Sequence, residues 1–164
     1  MAKIKPNINN NYVTQLKAKI RDACAEVIST LNDEFDEVIS DQNEFNDLGF
    51  YDQDIIDTER FLKSKMLNVQ SSGERLTAFW IWNPVDPETG YHYGAALYTG
   101  FMAYGRKWIP GRPWVERAIA RVNPTKALQA EMRTRGIGSS IRKKYSFGSA
   151  FTSGNAGFSA TINT

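Results

Sequence analysis

The sequence predicts a mixed fold, in which a long helix precedes an antiparallel pair of strands and shorter helices follow. Three patterns predict it: apolar residues at steps of three and four near the N-terminus, two strand-like runs around a glycine-bearing turn, and an amphipathic segment after a proline-rich turn. The chain has 164 residues, of which 41% are hydrophobic and 12% aromatic. This length and composition predict one folded domain with its own core.

The first element is a helix of about 30 residues, because its apolar side chains fall on one stripe. Asparagines at positions 9–11 offer capping oxygens at its start. Cys24, the single cysteine, lies on the stripe, so we expect a buried and unreactive thiol. A helix this long needs a wide partner surface, either a sheet of its own domain or a neighbouring subunit. The stripe consists of Val13, Leu16, Ile20, Cys24, Val27, Ile28, Leu31, Phe35, Val38 and Ile39.

An acidic, turn-rich segment occupies positions 41–57. It does not fit the calcium-binding loop, because Asn46 stands where that loop needs glycine. Its phenylalanines indicate a packed surface loop instead, and we expect no metal there.

Positions 61–70 and 75–82 predict an antiparallel hairpin around a turn at positions 71–74. The second run is apolar on both sides, since Phe79 and Ile81 alternate with larger inward residues. Such a strand is central, or it is covered by helices on one face and by a partner on the other. The residues that share its first side are Leu76, Ala78, Trp80 and Trp82.

Positions 91–101 fit a short helix or a strand equally well. The following Pro-Gly-Arg-Pro turn leads into a helix, and Pro113 suits its first turn. Asn123 and Pro124 end that helix and begin another that continues to about Arg133. The buried face of the first of these helices is predicted to consist of Trp114, Val115, Ala118, Ile119 and Val122.

Positions 136–164 are rich in Gly, Ser and Thr. They lack the apolar density for a core of their own, so we expect an extended arm beyond a domain at positions 1–135. The polar first residues predict no secretory signal, and the apolar runs are too short for a membrane span.

Charge is divided unevenly along the chain. Positions 1–102 carry nine Lys and Arg against sixteen Asp and Glu, or −7, whereas positions 103–164 carry eleven against two, or +9. The division fits a nucleic-acid-binding basic half, a contact between the acidic surface of one subunit and the basic surface of the next, or two solvated faces.

Two motifs, in this order, resemble a known family. The first, at positions 56–64, is similar to the pattern Asp-Thr-Gly-x-Leu-x-x-Ser, with Glu59 in place of glycine. The second, at positions 93–114, is similar to a Tyr-Ala-x-x-Val-Glu-x-Gly stretch and an Arg-Pro-Phe turn before the last helix. The family is the head–tail joining, or tail-completion, proteins of tailed bacteriophages, and the resemblance covers roughly positions 10–122. The motif residues are Asp57, Thr58, Leu62, Ser64, Tyr93, Gly100, Arg112, Pro113 and Trp114.

The resemblance implies an α+β domain, with a long N-terminal helix packed on a small antiparallel sheet and a C-terminal helix alongside. It implies a structural virion protein of the neck or tail, made in the bacterial host cytoplasm, with no catalytic residues, cofactor or membrane. Such proteins form closed rings between connector or adaptor proteins and the tail tube. The rings are commonly hexameric, dodecameric connector rings lie nearby, and DNA passes through the lumen without sequence-specific binding.

Subunit contacts are expected in the glycine-rich stretch at positions 94–105 and in the basic half. Arg112 either fixes its turn by hydrogen bonds or is solvated, Trp114 belongs to the core rather than an interface, and Asp57 with Thr58 caps a local turn. The candidate contact residues are Gly94, Tyr98, Arg106, Lys107, Arg142, Lys143 and Lys144.

Two other functions compete with this one. A nucleic-acid-binding module is favoured by Arg106, Lys107 and Trp108 and by the basic cluster at positions 142–144, although no recognition-helix or RNA-binding motif occurs. An enzyme has little support, because the single histidine, His92, has no nucleophile motif beside it.

Overall fold

A computed structural model of the protein describes residues 10–51, 59–73, 75–137, 145–152 and 155–163. The chain has the α+β fold that the sequence and the family resemblance predict, with a long N-terminal helix against an antiparallel sheet. The helices are α1 (Asn10–Ser40), α2 (Arg60–Lys63), α3 (Gly94–Thr99), α4 (Trp114–Val122) and α5 (Pro124–Thr134), with a 3₁₀ turn at Asn46–Leu48. The strands are β1 (Lys65–Ser72), β2 (Arg75–Trp82), β3 (Gly100–Ala103), β4 (Lys107–Pro110), β5 (Tyr145–Thr152) and β6 (Asn155–Asn163).

Helix α1 has the length and the buried stripe that its periodicity predicts. Val13 and Leu16, in its first turns, are half-buried, and the rest of the stripe is buried, including the thiol of Cys24. Helices α4 and α5 pack against α1, and the break between them is a tight one. Asn123 has a left-handed backbone, its side chain accepts a hydrogen bond from the Lys126 N–H, and Pro124 occupies the first turn of α5.

The main sheet has four antiparallel strands in the order β1-β2-β6-β5. Strand β2 is central, as its apolar character on both sides predicts. The first hairpin strand starts later than expected, because Phe61 to Lys63 belong to α2 and the strand begins at Lys65. Phe61 is buried in the core, so the helical turn serves to point its ring inward.

The Gly/Ser-rich segment contributes β5 and β6 to this sheet. Strand β6 pairs with β2 along its whole length, from Arg75 opposite Asn163 to Trp82 opposite Ala156. The extended arm expected from its composition is thus, where it is described, a hairpin that continues the domain's sheet. Backbone pairing explains this, since a strand is held by hydrogen bonds to its neighbours and does not require dense apolar side chains.

The core lies between the helices and the inner face of β2. Phe35 of α1 meets Trp80 and Trp82 edge-to-face, with ring centroids 5.4 and 5.3 Å apart. Trp80 donates a hydrogen bond to the Asn32 side chain at 3.3 Å, and Lys65 reaches the Asp36 carboxylate at 2.6 Å. The inner strand face is therefore fastened to α1 by aromatic packing and by polar contacts at its border.

Candidate interaction surface

One exposed apolar surface is the hairpin of β3 and β4, which spans residues 100–110 and is called the 100–110 hairpin below. Met102 pairs with Trp108 across the strands, and both are more than half exposed, at 55% and 56%. Tyr104 at the tip is 100% exposed, and Phe101 is partly exposed on the other side. Large apolar side chains that stand together on the surface are typical of a contact site.

The tip of this hairpin is a strained turn. Tyr104 and Gly105 both have left-handed backbones, with φ of 51° and 65°, and the Arg106 N–H donates to the Ala103 carbonyl at 3.0 Å. The left-handed region costs a side-chain-bearing residue about 1–2 kcal/mol. The turn thereby directs the Tyr104 ring and the exposed Arg106 and Lys107 away from the domain.

Two glycines let the base of the hairpin close. A Cβ on Gly100, whose φ is 90°, would lie 2.7 Å from the Ile109 carbonyl oxygen and from the Trp108 ring. A Cβ on Gly111 would lie 2.0 Å from the Tyr98 carbonyl oxygen. Only glycine fits such approaches, so Gly100 of the second family motif has a structural role at this base.

The Arg-Pro-Trp turn holds the hairpin to the core. The Arg112 N–H donates to the Leu97 carbonyl at 2.8 Å, and its guanidinium lies 4.5 Å from the centre of the Phe50 ring. Pro113 caps α4. Trp114 is fully buried, as its place on the apolar face of α4 predicts. Its ring meets those of Phe61, Tyr98 and Trp82 edge-to-face, at centroid distances of 5.0, 4.9 and 5.6 Å.

Two of the expected contact residues lie inside the domain instead of on its surface. Gly94 is buried at the start of α3, and Tyr98 is half-buried against Trp114. Burial, together with the neighbouring Glu116 carboxylate, raises the pKa of Tyr98, so its hydroxyl stays protonated. Tyr93 is half-buried as the cap of α3, and its N–H donates to the Pro84 carbonyl at 3.2 Å. Sequence reasoning placed Gly94 and Tyr98 at an interface because glycine and tyrosine do not reveal which side of a short helix is covered.

Of the first motif, the described residues Leu62 and Ser64 lie at or beside the core. Leu62 packs against the core, and the Ser64 hydroxyl donates to the Phe61 carbonyl at 2.7 Å as α2 ends. Asp57 and Thr58 lie outside the described residues, as do Arg142, Lys143 and Lys144.

The acidic and basic halves of the chain meet within one subunit. Arg121 of α4 pairs with Glu34, Asp41 and Glu44, and Arg117 of the same helix pairs with Glu44 and Asp47. The acidic loop after α1 is thus held to α4 by two arginines, while its Phe45 ring is buried beneath. The Asn43 N–H, and then Arg121, hold the pKa of Asp41 below its usual value. Some of the acidic and basic side chains therefore pair with each other inside the domain, so their charges are not available to a neighbouring molecule.

The outer face of the main sheet is a second exposed surface. Met66, Phe79 and Ile81 point away from the helices, as their register with the buried residues of β2 requires. Thr77 and Thr161 border them with a hydroxyl contact at 3.4 Å. The sequence anticipated an apolar second face on β2, and the structure leaves it exposed.

The expected contact stretch at positions 94–105 includes Met102 and Tyr104, although neither residue was singled out from the sequence. The available signal was Gly105, which stands between two short apolar runs and so marks a tight hairpin turn. Within the described part of the chain, the side chains form no group suited to hold a metal ion, and no helix is long and apolar enough to cross a membrane. The His92 ring contacts the Asn83 side chain beside the bridge that joins Val85 to His92.

No family model, curated protein or solved structure matches this chain.

Proposed function

We propose that this protein is a structural subunit of a closed homo-oligomeric ring in the neck of a tailed bacteriophage, where it joins the head to the tail. The observation that carries the proposal is the anchored, exposed 100–110 hairpin, whose Met102, Tyr104 and Trp108 are left uncovered by the other described residues. A monomeric soluble protein has little use for such a surface, whereas a subunit buries it against a neighbour.

The family resemblance supports the same proposal from another direction. Gly100 and Arg112 of the second motif lie at the base of the hairpin, and Trp114 lies in the core directly beneath. The motif is therefore the framework that presents the hairpin, which is a reason for its residues to occur together. The α+β fold with a long first helix also agrees with what the resemblance implies.

A ring requires two different surfaces on each subunit, because a head-to-tail contact closes only when unlike patches meet. The 100–110 hairpin is one candidate patch, and the second must be an unlike exposed surface of the same chain. In this arrangement the hexamer is the expected ring, with a dodecamer as the alternative, and DNA crosses the lumen without sequence-specific binding. The protein would have no catalytic residue and no cofactor, and it would belong to the virion.

The proposal is tested by measuring the mass of the purified chain in solution and by imaging virions that carry a tag on this protein. We expect a closed oligomer of six or twelve subunits and a tag signal at the junction of head and tail. A tag signal confined to the capsid or absent from virions would contradict the proposal, as would a gene neighbourhood without portal, capsid and tail-tube genes. A monomer alone does not contradict it, since some ring proteins assemble only on a partner.

One observation favours a second function, binding to single-stranded nucleic acid. Tyr104 and Trp108 are exposed next to Arg106 and Lys107, and stacking rings beside cations bind bases and phosphates. The test is retention on a single-stranded oligonucleotide as salt is raised. Tight binding that weakens steeply with salt and is lost in Trp108→Ala would favour this function over the ring.

A further inference from the structure

The ion pairs among the described residues show which charges remain for a partner. Arg117 and Arg121 form ion pairs with carboxylates of the acidic loop, and Arg121 also pairs with Glu34. Lys65 pairs with Asp36. Among the described residues, Arg106 and Lys107 of the 100–110 hairpin form no ion pair, although both are exposed. The hairpin thus offers two free cations beside three exposed rings and a methionine.

A set of carboxylates that form no ion pair with any described residue lies on α1, and we call it the acidic stripe. It consists of Asp22, Glu26, Asp33 and Glu37, which are all exposed. Their spacings of four, seven and four residues place them within about 60° of one another around the helix. The buried residues of α1 lie on the opposite side, and the stripe extends for about 22 Å along the axis.

We propose that the 100–110 hairpin of one subunit docks on the acidic stripe of a second copy of this chain. Arg106 and Lys107 would meet the carboxylates, while Tyr104 and Trp108 would cover the helix surface between them. The inference rests on the proposed ring and names its contact. It also follows from the leftover charges, because no ion pair joins the hairpin to the stripe within the described part of one chain.

A second copy fits the hairpin better than a nucleic acid does. The hairpin surface is mainly apolar and has two cations, whereas four carboxylates on the same subunit would repel phosphates. The stripe and the hairpin are unlike patches, so a contact between them is head-to-tail and can close into a ring.

Charge reversal on the full chain tests the contact. In one variant the hairpin is reversed by Arg106→Glu and Lys107→Glu, and in another the stripe is reversed by Asp22→Lys, Glu26→Lys, Asp33→Lys and Glu37→Lys. The oligomeric state is measured by analytical ultracentrifugation, and folding is checked by circular dichroism. We expect each variant alone to associate at least about 10-fold more weakly than the unmodified chain.

Mixing the two variants separates docking from damage to the fold. In the mixture, each reversed hairpin meets a reversed stripe and each unmodified hairpin meets an unmodified stripe, so alternating subunits should restore assembly. A misfolded variant would not be rescued in this way. The matched control is Lys126→Glu with Arg133→Glu, which makes the same charge change on the exposed surface of α5 and should leave assembly unchanged.

Disulfide trapping covers the case in which the isolated chain associates weakly. A chain with Tyr104→Cys and a chain with Ser29→Cys, which lies beside the stripe, should form a mixed disulfide, since Cys24 is buried and does not compete.

The inference is overturned if the hairpin variant assembles normally, if mixing the two reversed variants does not restore assembly, or if no mixed disulfide forms between monomeric chains. It is also overturned if hairpin reversal removes oligonucleotide binding but leaves the oligomer intact. A ring that still forms after hairpin reversal would contradict this contact but not the proposed function. Absence of the protein from virions would contradict the proposed function itself.

Discussion

At the scale of single residues, two tryptophans of the same segment have opposite environments. Trp114 is fully buried among three other rings, whereas Trp108 is 56% exposed on the 100–110 hairpin. Trp114→Ala should lower the free energy of unfolding by about 3–5 kcal/mol, because it leaves a large cavity. Trp108→Ala should change it by less than about 1 kcal/mol.

Denaturant unfolding of both variants checks this prediction, and each serves as the control for the other. If Trp114→Ala does not fold, Trp114→Phe gives a smaller loss in the same direction. Equal losses at the two positions would contradict the assignment of Trp114 to the core.

Gly111 allows a prediction about backbone approach. Gly111→Ala places a methyl group where the Tyr98 carbonyl oxygen lies, 2.0 Å away, so the base of the hairpin must open. The expected loss is about 3 kcal/mol in the free energy of unfolding. The control is Gly105→Ala, which meets no atom within 4 Å and should cost only the strain of its left-handed backbone, about 1 kcal/mol. A Gly111 variant no less stable than the Gly105 variant would show that the two segments do not touch.

At the scale of elements, Arg121 joins α4 to the end of α1 and to the loop that follows. Arg121→Gln leaves Glu34, Asp41 and Glu44 close together without their counter-charge. Since the pairs are partly exposed, we expect a loss of about 1 kcal/mol or less at pH 7, and a smaller loss in high salt.

The pH dependence of this loss has a definite sign. The folded-state pKa of Asp41 lies below its unfolded value of about 3.8, so Asp41 contributes stability above that pH and loses it as the pH falls through the lowered pKa. The stability difference between the unmodified chain and Arg121→Gln should therefore shrink below about pH 4. Thermal unfolding between pH 3 and pH 7 measures it. The control Arg133→Gln, an exposed arginine of α5, should show no such trend, and a difference that grows on acidification would contradict the network.

At the scale of the whole molecule, the C-terminal hairpin decides whether β2 is an edge or a central strand. A chain that ends at Ile137 lacks β5 and β6, and the amides of β2 that face β6 would lose their partners. Hydrogen exchange should then become faster at every second amide of β2, while those that face β1 stay protected. Unchanged exchange along β2 would show that this pairing does not contribute to the fold.

The sequence predicted the elements whose side chains alternate clearly. The stripe of α1 and the break at Asn123 and Pro124 follow from periodicity and proline chemistry, and both are confirmed. The start of β1 was wrong because the apolar pair Phe61 and Leu62 fits a strand as well as a helical turn. The pairing of β6 with β2 could not be predicted, since a glycine-rich strand is defined by backbone hydrogen bonds that leave little trace in composition.

The candidate surface was predicted less well than the fold. Arg106, Lys107 and the Arg-Pro-Trp turn were singled out from the sequence, and the structure places the first two on the exposed hairpin and the turn at its base. Which arginine pairs with which carboxylate depends on distances between segments, so the internal use of Arg117 and Arg121 was not foreseen. The acidic stripe was also missed, because the carboxylates were counted as a sum for half the chain and not by their position around α1.

The central position of β2 has a consequence for how the chain folds. Thr161 of β6 contacts Thr77 of β2 and lies 84 residues after it in the sequence. Arg121 of α4 pairs with Glu34 of α1 and lies 87 residues after it. Contacts this distant in sequence form late, because a long loop must close before they stabilise anything. On the ribosome, the apolar face of β2 and the edge that awaits β6 would thus stay uncovered until most of the chain has emerged. During that interval the exposed apolar face and the unpaired strand edge make the nascent chain prone to aggregation.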